Sequence, residues 1–345
     1  MTKSREQLAA EQAEFWNGPG GKMWLAAYAR IERGILGFGA AALDAAAVRL
    51  GERVLDIGCG TGGTTAELAR AVGATGWVTG VDISEPLIGA ARAQGLANAT
   101  FEIGDAASWP FEDGSFDLVF SRFGVMFFGD PVAAFGNIRR ALKPGGRMVF
   151  ICWRTPSENP WAAIPTRAAQ PHLPPIERPG PEDPGQYSFG DRARVERILT
   201  QAGFKDLSFE PVDQMLAQGK DIPEVLERVS EFGPLARLFK EATPGQVAKA
   251  KVAIAEALNA SGPGLRHLRV EDGPGRPLGR INLDHLHATG FGGELMSRYG
   301  LSLDRVTTDV TREGRDVSRT HSRVEGFVYS PPLRGLEGIQ ARGVM

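Results

Sequence analysis

The sequence has few of the features that mark secreted, metal-binding or nucleic-acid-binding proteins. Its 345 residues include two cysteines, Cys59 and Cys152, which are too few for a disulfide framework and lack metal-ligand spacing. The formal net charge is -2, so the chain has no basic excess to attract nucleic acid or an anionic membrane. The polar N-terminus has no apolar signal region after it, and no apolar run is long enough to span a membrane. We therefore expect a soluble cytoplasmic protein with small-molecule partners, no nucleic-acid partner and no stable membrane insertion.

Short apolar runs alternate with helical patterns between residues 50 and 152. The pattern predicts strands near 53–57, 77–81, 100–103, 116–120 and 147–152, with helices near 64–72, 85–94 and 131–142. Strands that alternate with helices form parallel sheets with both faces covered. The sequence therefore predicts an α/β, Rossmann-like, doubly wound fold.

The first predicted strand runs directly into three alternating glycines, Gly58, Gly60 and Gly62. Asp82 ends the second strand 24 residues beyond Gly58, about where a carboxylate meets a pair of ribose hydroxyls. The glycines alone fit a dinucleotide site as well, because they also satisfy G-x-G-x-x-G. Asp56, two positions before the first glycine, suits a ligand with an ammonium and a sulfonium group better than a pyrophosphate. Together these residues indicate a ligand that carries adenosine.

Five segments stand in a characteristic order and spacing: 54–62, 81–84, 104–106, 116–119 and 142–146. They resemble the class I S-adenosylmethionine-dependent methyltransferases, and within them the type-11, ubiquinone/menaquinone-biosynthesis-like group. The resemblance covers residues 15 to 210. It implies a mostly parallel seven-stranded sheet whose last strand is antiparallel, with helical cap insertions. Leu265 to Val270 is a candidate for that last strand.

The resemblance also implies S-adenosyl-L-methionine as the cofactor. Asp56 would hold its amino group, Asp82 its ribose hydroxyls, and Ile83 and Asp105 its adenine. The full set implied for cofactor binding is Asp56, Gly58, Cys59, Gly60, Asp82, Ile83, Asp105, Ala106 and Ser121. The reaction would be in-line transfer of a methyl group to an O, C or N atom of a small-molecule acceptor. A dedicated base is optional for this reaction, so the sequence leaves the catalytic residues unknown, and we predict no metal.

The rest of the chain suggests appendages around this core. The segment 156–184 has nine prolines, and the tail from residue 265 has twelve arginines and no lysine. Such a tail is either a small appendage, a disordered segment or the product of a shifted reading frame. We also predict a helix from Asp191, a strand near 206–212 and a helical block over 222–260. The predicted division is a helical cap at 1–49, a core at 50–212 with a Pro-rich cap loop at 155–190, a helical cap insertion at 213–264 and the Arg-rich tail at 265–345.

A glycine-rich segment from Asn17 to Gly21 lies between Trp16 and Trp24. It either folds over a pocket as a loop, or the two tryptophans pin an N-terminal helix to the domain. In both cases we expect the tryptophans to be substantially buried.

Two other functions stay open at this stage. A non-catalytic module would bind S-adenosylmethionine without turning it over. An NAD(P)-dependent oxidoreductase would use the overlapping glycine pattern, but none of the four tyrosines is followed by a lysine four residues later. Neither the acceptor nor the oligomeric state follows from the sequence, because specificity lies in the cap loops.

Overall fold

The structure is a computed structural model that describes residues 3–175, 180, 183–214, 216, 219, 221–231, 233–261, 301–313 and 316–329. The chain divides near residue 268 into two compact units. The first holds the predicted core and its caps. The described part of the second is a pair of strands.

A parallel five-stranded sheet forms the centre of the first unit. Its strands are β1 (Arg53–Ile57), β2 (Trp77–Asp82), β3 (Ala99–Ile103), β4 (Phe116–Arg122) and β5 (Leu142–Ile151), in the order β3-β2-β1-β4-β5. The α/β, Rossmann-like prediction is confirmed. Because the order reverses at β1 and β4, the carboxyl ends of these two strands flank the crevice in which such sheets bind ligands.

Helices α3 (Gly63–Val72), α4 (Glu85–Arg92) and α5 (Pro131–Ala141) connect the strands and pack on them. They bury the apolar strand residues, and Leu55, Leu118 and Phe120 have no exposed surface. Burial of such side chains stabilises the fold by roughly 1.5–3 kcal/mol each. The predicted core helices are therefore present, within two residues of their predicted bounds.

The N-terminal segment folds into two helices, α1 (Arg5–Asn17) and α2 (Pro19–Ala46), which meet at a sharp turn at Gly18. The predicted glycine loop is absent, since Gly20 and Gly21 lie in the first turn of α2. Trp16 and Trp24 are half-buried, less than expected, and meet edge to face at 5.9 Å. The tryptophans therefore tie the two helices together.

The segment predicted as a Pro-rich loop, 155–190, contains a helix, α6 (Pro160–Ala169). The loop prediction is wrong there because Pro160 occupies the first turn, where a helix needs no N–H donor. Pro165 is accommodated in the interior of the same short helix. Low periodicity and many prolines hid this helix in the sequence.

The later helices agree with prediction. Helix α7 (Arg192–Gln201) begins after Asp191, whose side chain accepts from Ala193 N, and α8 (Ile222–Glu231), α9 (Pro234–Glu241) and α10 (Pro244–Ala260) fill the predicted helical block. Helices α6, α8, α9 and α10 enclose a second small core formed by Ala169, Leu173, Leu235, Leu238, Ala250 and Ile254, whereas α7 packs on the main core.

The prediction of further strands is not met within the described residues of the first unit. The segment 206–212 forms no strand, although its burial alternates and Leu207 and Phe209 pack on the main core. Alternating burial shows only that every second side chain packs on the core, whereas a strand also needs a neighbouring strand for its backbone hydrogen bonds. The candidate last strand, Leu265 to Val270, lies outside the described residues.

In the second unit, the structure describes two strands, and both lie in the predicted Arg-rich tail. Strands β6 (Leu301–Glu313) and β7 (Asp316–Tyr329) pair in antiparallel fashion from Leu301 with Tyr329 to Glu313 with Asp316. The division of the chain into caps, core and Arg-rich tail stays a prediction.

Within the described residues, none of the helices has the length and apolarity needed to cross a bilayer. The same residues contain no group of three or more side chains suited to hold a metal ion. Cys59 and Cys152 are both buried free thiols.

Candidate functional site

The glycine loop lies at the carboxyl end of β1, in the crevice where the strand order reverses. Its conformation requires glycine, since Gly58, Gly60 and Gly62 all have positive φ, at 67°, 56° and 84°. A Cβ on Gly58 would lie 2.7 Å from the Cα of Gly124, but a Cβ on Gly60 would have no neighbour within 4 Å. The loop is therefore tightly packed at Gly58 and open at Gly60. We call Asp56 to Gly62, together with Asp82, the glycine-loop site.

Helix α3 begins at the end of this loop, with Gly62 as its N-cap and no side-chain cap hydrogen bond. The first N–H groups of a helix carry partial positive charge and favour an anionic group of a ligand. The same helix carries Thr65, whose hydroxyl reaches the carboxylate of Asp56. The start of α3 is thus joined to the end of β1 by this hydrogen bond.

Asp56 is the most unusual polar group of the site. It is 1% exposed, its Oδ2 accepts a hydrogen bond from Thr65 Oγ1 at 2.7 Å, and its Oδ1 has no partner. Its pKa is raised to about 7, mainly by burial; the hydrogen bond from Thr65 and the charge of Arg122 act to lower the pKa, and the nearby Asp82 acts to raise it. A buried carboxylate with an unsatisfied oxygen is costly, and a cation placed beside it would remove that cost.

Asp82 holds the loop from the neighbouring strand. Its Oδ2 accepts from Gly60 N at 2.8 Å, and its Oδ1 accepts from Ser84 N at 2.9 Å. Burial raises its pKa. Because each carboxylate oxygen has two lone pairs, both can still accept from ligand hydroxyls. Sequence reasoning assigned Asp82 to the ligand alone and missed its role in ordering the loop.

Asp105 and Ala106 follow β3 in a turn. Asp105 is half-buried and its Oδ1 accepts from Ala107 N at 2.9 Å, while the buried Ala106 offers its carbonyl to Asn137 Nδ2 at 2.9 Å. Asn137 of α5 therefore fixes this turn. Ile83, beside Asp82, is half-buried.

The side chains of Cys59 and Ser121 serve the fold. Cys59 packs in a small apolar cluster with Ile88 and Phe101, and burial raises the pKa of its thiol. Ser121 Oγ donates to Ile57 O at 2.7 Å. Any contact of these two residues with a ligand would use their backbone.

Asn17 is a functional candidate that sequence reasoning missed. Its Nδ2 donates to Ile83 O and its Oδ1 accepts from Glu85 N, both at 2.9 Å, and Ser84 Oγ donates to Trp16 O at 2.7 Å. The turn between α1 and α2 is thereby fastened to the residues that follow Asp82. The only signal in the sequence was the turn-forming composition of Asn17 to Pro19.

Helix α2 approaches the other side of the site. Arg122, at the end of β4, donates to both carboxylate oxygens of Glu32 at 2.6 and 2.8 Å. A Cβ on Gly63 would lie 2.8 Å from the Tyr28 hydroxyl oxygen and 3.5 Å from Glu32 Oε1. Tyr28 and Glu32 therefore lie close to the start of α3. The pairing of Glu32 with Arg122 could not be predicted from the sequence, because the two residues are 90 positions apart.

A cavity of about 130 Å³ lies at the ends of β4 and β5. Four aromatic side chains contribute to its wall: Phe38, Phe123, Trp153 and Trp161. Phe123 has a left-handed backbone at φ 63°, a strained conformation for a bulky residue, and its ring stacks on Trp153 at 4.6 Å. The other lining residues are Ile151, Cys152, Arg154, Glu158, Asn159, Pro160, Val212, Asp213, Gln214 and Leu216. We call it the aromatic cavity.

A larger and more open groove of about 350 Å³ runs along the outer strand β3, between residues 92 and 102. None of the predicted site residues lines it. Its size therefore does not mark it as the functional site.

Comparison with known proteins addresses the glycine-loop site directly. The family model described as "Methyltransferase domain" matches residues 54–146. This segment is therefore similar to a methyltransferase domain. All nine predicted cofactor-binding residues lie within it, and the resemblance to class I S-adenosylmethionine-dependent methyltransferases is confirmed for this segment.

One relative is a demethylmenaquinone methyltransferase of Staphylococcus aureus strain MRSA252, which is 44% identical to this chain over 106 residues. The match covers 30% of this chain and 44% of the relative, so the chain spans less than half the length of the curated relatives it matches.

Two solved structures are also similar to part of this chain. An S-adenosylmethionine-dependent methyltransferase from Aquifex aeolicus is 22% identical, with a TM-score of 0.39 over 50% of this chain and 83% of that chain. Another from Mesorhizobium loti is 23% identical, with a TM-score of 0.35 over 51% and 83%. Because both TM-scores are below 0.5, no conclusion is drawn from these structures.

Proposed function

We propose that this protein is an S-adenosylmethionine-dependent methyltransferase that acts on a small-molecule acceptor. The observation that supports it best is the unpartnered Oδ1 of the buried Asp56, in the same strand-to-helix segment as Gly60, where the structure has open space. A ligand with a cationic end would supply the missing partner. The match of residues 54–146 to a methyltransferase domain agrees with this assignment.

The residues present fit the cofactor from end to end. Asp56 would hold its amino group, and the uncapped start of α3 would attract its carboxylate. Gly60 would let the backbone approach the middle part of the cofactor. Asp82 would accept from the ribose hydroxyls, and Asp105 would accept from the adenine amino group.

The bound cofactor supplies a methyl group that is already activated for in-line displacement. The chain's own residues then have to align the acceptor and exclude water, which can contribute up to ~7–11 kcal/mol in favourable cases. Asn17 fastens the α1–α2 turn beside Asp82, and Arg122 joins β4 to α2 beside Asp56. These contacts hold the α1–α2 turn and helix α2 near the glycine-loop site.

The acceptor would occupy the aromatic cavity. Phe123 lines the cavity, and the next residue, Gly124, contacts Gly58 of the glycine-loop site. An aromatic acceptor agrees with these walls, as does the name of the demethylmenaquinone methyltransferase relative. Two sequence predictions belong to the same proposal: a seven-stranded sheet with an antiparallel last strand, and a cytoplasmic location.

Calorimetric titration tests the cofactor assignment. Saturable binding of S-adenosylmethionine and S-adenosylhomocysteine to the wild type is expected. Asp82→Ala should weaken it about tenfold to a hundredfold, because a hydrogen bond to a charged group contributes about 1.5–3 kcal/mol.

Two further variants control this experiment. Asp82→Asn keeps one acceptor oxygen and should retain part of the affinity. Asp113→Ala removes an exposed carboxylate paired with Arg140 and should bind like the wild type. Absence of binding by the folded wild type would overturn the proposal.

A further inference from the structure

We propose that Asn137 of α5 is a positioning residue that sets the preference of the site for adenine over hypoxanthine. It acts through the turn that follows β3, residues 105–109, which we call the adenine turn. The inference rests on the proposed function, which assigns Asp105 to the adenine end of the cofactor. It extends that function to a residue outside the glycine loop and outside the predicted cofactor-binding set.

Asn137 is a buried polar residue in a helix whose other buried residues are apolar. Its Nδ2 donates to Ala106 O at 2.9 Å and to Trp109 O at 2.8 Å, and its Oδ1 accepts from Arg140 Nη2 at 2.6 Å. Because a carbonyl only accepts and a guanidinium only donates, the reversed amide orientation would lose all three hydrogen bonds. One side chain thus joins two carbonyls of the adenine turn to α5.

The adenine turn is closed by hydrogen bonds of its first residue, Asp105. The Asp105 carbonyl accepts from Trp109 N at 2.8 Å, and Asp105 Oδ1 accepts from Ala107 N at 2.9 Å. Gly104 N, just before the turn, donates to Asp82 O at 2.9 Å. The turn therefore starts beside Asp82 of the glycine-loop site, and its shape depends on the carboxylate that would bind adenine.

One peptide group links Asn137 to the Asp105 carboxylate. Its carbonyl belongs to Ala106 and accepts from Asn137 Nδ2, and its N–H belongs to Ala107 and donates to Asp105 Oδ1. Because a peptide group is planar, the direction of the carbonyl also fixes the direction of the N–H. Asn137 therefore orients the Asp105 carboxylate through two hydrogen bonds.

Two groups of the adenine turn are left to recognise a base. Asp105 Oδ1 is occupied by Ala107, so Asp105 Oδ2 remains as an acceptor. Ala106 N donates to none of the described residues and remains as a donor. In adenine the amino group donates and the adjacent ring nitrogen N1 accepts, whereas hypoxanthine has a carbonyl and an N–H at these two positions. The turn therefore matches adenine at both positions and opposes hypoxanthine at both.

The indole of Trp109 holds the turn independently of Asn137. A Cβ on Gly104 would lie 2.0 Å from Trp109 Cε3, so the ring lies directly on the Gly104 backbone. Trp109 also packs on the main core. Removal of the Asn137 amide should therefore leave the turn in place but release the Ala106 carbonyl from its fixed direction.

The preference for adenine is measured with two ligands that differ only in the base. S-adenosylhomocysteine and S-inosylhomocysteine, in which hypoxanthine replaces adenine, are titrated into the full chain by calorimetry. The wild type should bind S-adenosylhomocysteine roughly a hundredfold more tightly, because the other ligand loses two hydrogen bonds. Asn137→Ala should lower this ratio roughly tenfold, mainly by weakening the binding of S-adenosylhomocysteine. Changes in the amino-acid or ribose part of the site cancel in the ratio, so a merely structural role would not alter it.

Two further asparagine variants locate the effect. Asn137→Asp keeps the size of the side chain and an acceptor for Arg140, but it removes the donor to both carbonyls, so the ratio should fall at least as far as in Asn137→Ala. Asn98→Ala is the matched control, because Asn98 Nδ2 also donates to two carbonyls, those of Ala69 and Gly73, at 2.8 and 2.9 Å. Asn98 precedes β3, whereas the adenine turn follows it. Loss of its side chain should lower the melting temperature and leave the ratio unchanged.

An unchanged ratio in the Asn137 variants, even with weaker binding of both ligands, would overturn the inference, since it would show a purely structural role. Equal binding of the two ligands by the wild type would overturn it as well, and so would an equal fall of the ratio in Asn98→Ala. Circular dichroism confirms that each variant is folded; if Asn137→Ala does not fold, Asn137→Asp and the wild-type ratio decide. Failure of the folded wild type to bind either ligand would instead contradict the proposed function, so the two failures are distinguishable.

Discussion

The glycine-loop site and the aromatic cavity adjoin through Phe123 and Gly124, but they differ in how they treat polar groups. The glycine-loop site leaves Asp56 Oδ1 buried without a partner and the space in front of Gly60 open. In the aromatic cavity the ions are paired and the Trp161 indole is hydrogen-bonded. The first site has an electrostatic cost that a charged ligand would relieve, whereas the second has none.

This difference bears on how the two sites obtain affinity. A cation beside Asp56 would gain a charge-assisted hydrogen bond and relieve an existing desolvation cost. A ring in the aromatic cavity would gain mainly from apolar burial, at roughly 25 cal/mol per Å². We therefore expect the glycine-loop site to respond to charge and pH, and the aromatic cavity to respond to size.

The largest expected effect comes from filling the open side of the loop. Gly60→Ala places a methyl group where the structure has no neighbour within 4 Å, so the fold should lose only ~1–2 kcal/mol from the left-handed backbone. Affinity for S-adenosylhomocysteine should fall roughly a hundredfold or more, equivalent to about 2.8 kcal/mol. Calorimetry and thermal unfolding measure the two effects.

Two other glycines serve as matched comparisons for this prediction. Gly58→Ala would force a methyl group within 2.7 Å of Gly124 and should lower the stability more than Gly60→Ala does. Gly136→Ala, in the open interior of α5, should preserve affinity and add ~0.5–1 kcal/mol of stability. If Gly60→Ala binds like Gly136→Ala, the space beside Gly60 is not part of the binding site.

The second effect concerns the charge of Asp56 and its pH dependence. Burial raises its pKa to about 7 from an ordinary value of 3.8, so without ligand the folded state holds a proton that the unfolded state releases. The free energy of unfolding should therefore fall as pH rises between these values. A cationic ligand prefers the ionised form, so its affinity should rise with pH, up to about tenfold per unit, and level off above about pH 7.

Asp56→Asn checks this dependence by calorimetry between about pH 5.5 and 8.5. The variant should bind about tenfold to a hundredfold more weakly at the upper end, because a hydrogen bond to a charged group contributes about 1.5–3 kcal/mol. It should also lose the part of the pH slope that Asp56 contributes. Titration of the ligand's own amino group is common to both proteins and cancels in the comparison. An unchanged slope would show that Asp56 does not hold the cationic group.

The smallest effect tests the N-terminal fastening. Asn17→Ala removes two hydrogen bonds to Ile83 and Glu85, each contributing about 0.5–1.5 kcal/mol. Affinity for the cofactor should fall up to about tenfold. Ser261→Ala, which removes an exposed hydrogen bond at the end of α10, is the control and should leave this affinity unchanged. If Asn17→Ala and Ser261→Ala had equal effects on the affinity, the α1–α2 turn would not be part of the site.

Local patterns predicted the centre of the fold well. Apolar runs located all five strands, although β5 begins earlier than expected because Leu142 pairs with Phe116 across a register shift. The glycine loop after β1 and Asp82 at the end of β2 also predicted which strand ends carry the site, because parallel strands bring their carboxyl ends to the same edge of the sheet. These features depend on neighbours along the chain, so they are visible in the chain itself.

The errors arose where contacts between distant residues decide the outcome. Helix α6 forms despite its prolines because it packs into the second small core with α10. The segment 206–212 shows the alternation of a strand but has no strand beside it. The contacts of Asn17 with Ile83 and of Glu32 with Arg122 join positions too distant in sequence for any local pattern to reveal.

The sequence by itself determined the α/β alternation, the glycine loop and the two carboxylates at neighbouring strand ends, because backbone freedom and hydrophobic periodicity are local properties. Only the tertiary structure decided that Asp56 keeps an unpartnered buried oxygen, that Asp82 also orders the loop, and that four aromatic residues from α2, α6 and the ends of β4 and β5 enclose a cavity of about 130 Å³. Burial, hydrogen-bond satisfaction and cavity size depend on which distant groups come into contact, and that is settled when the elements pack.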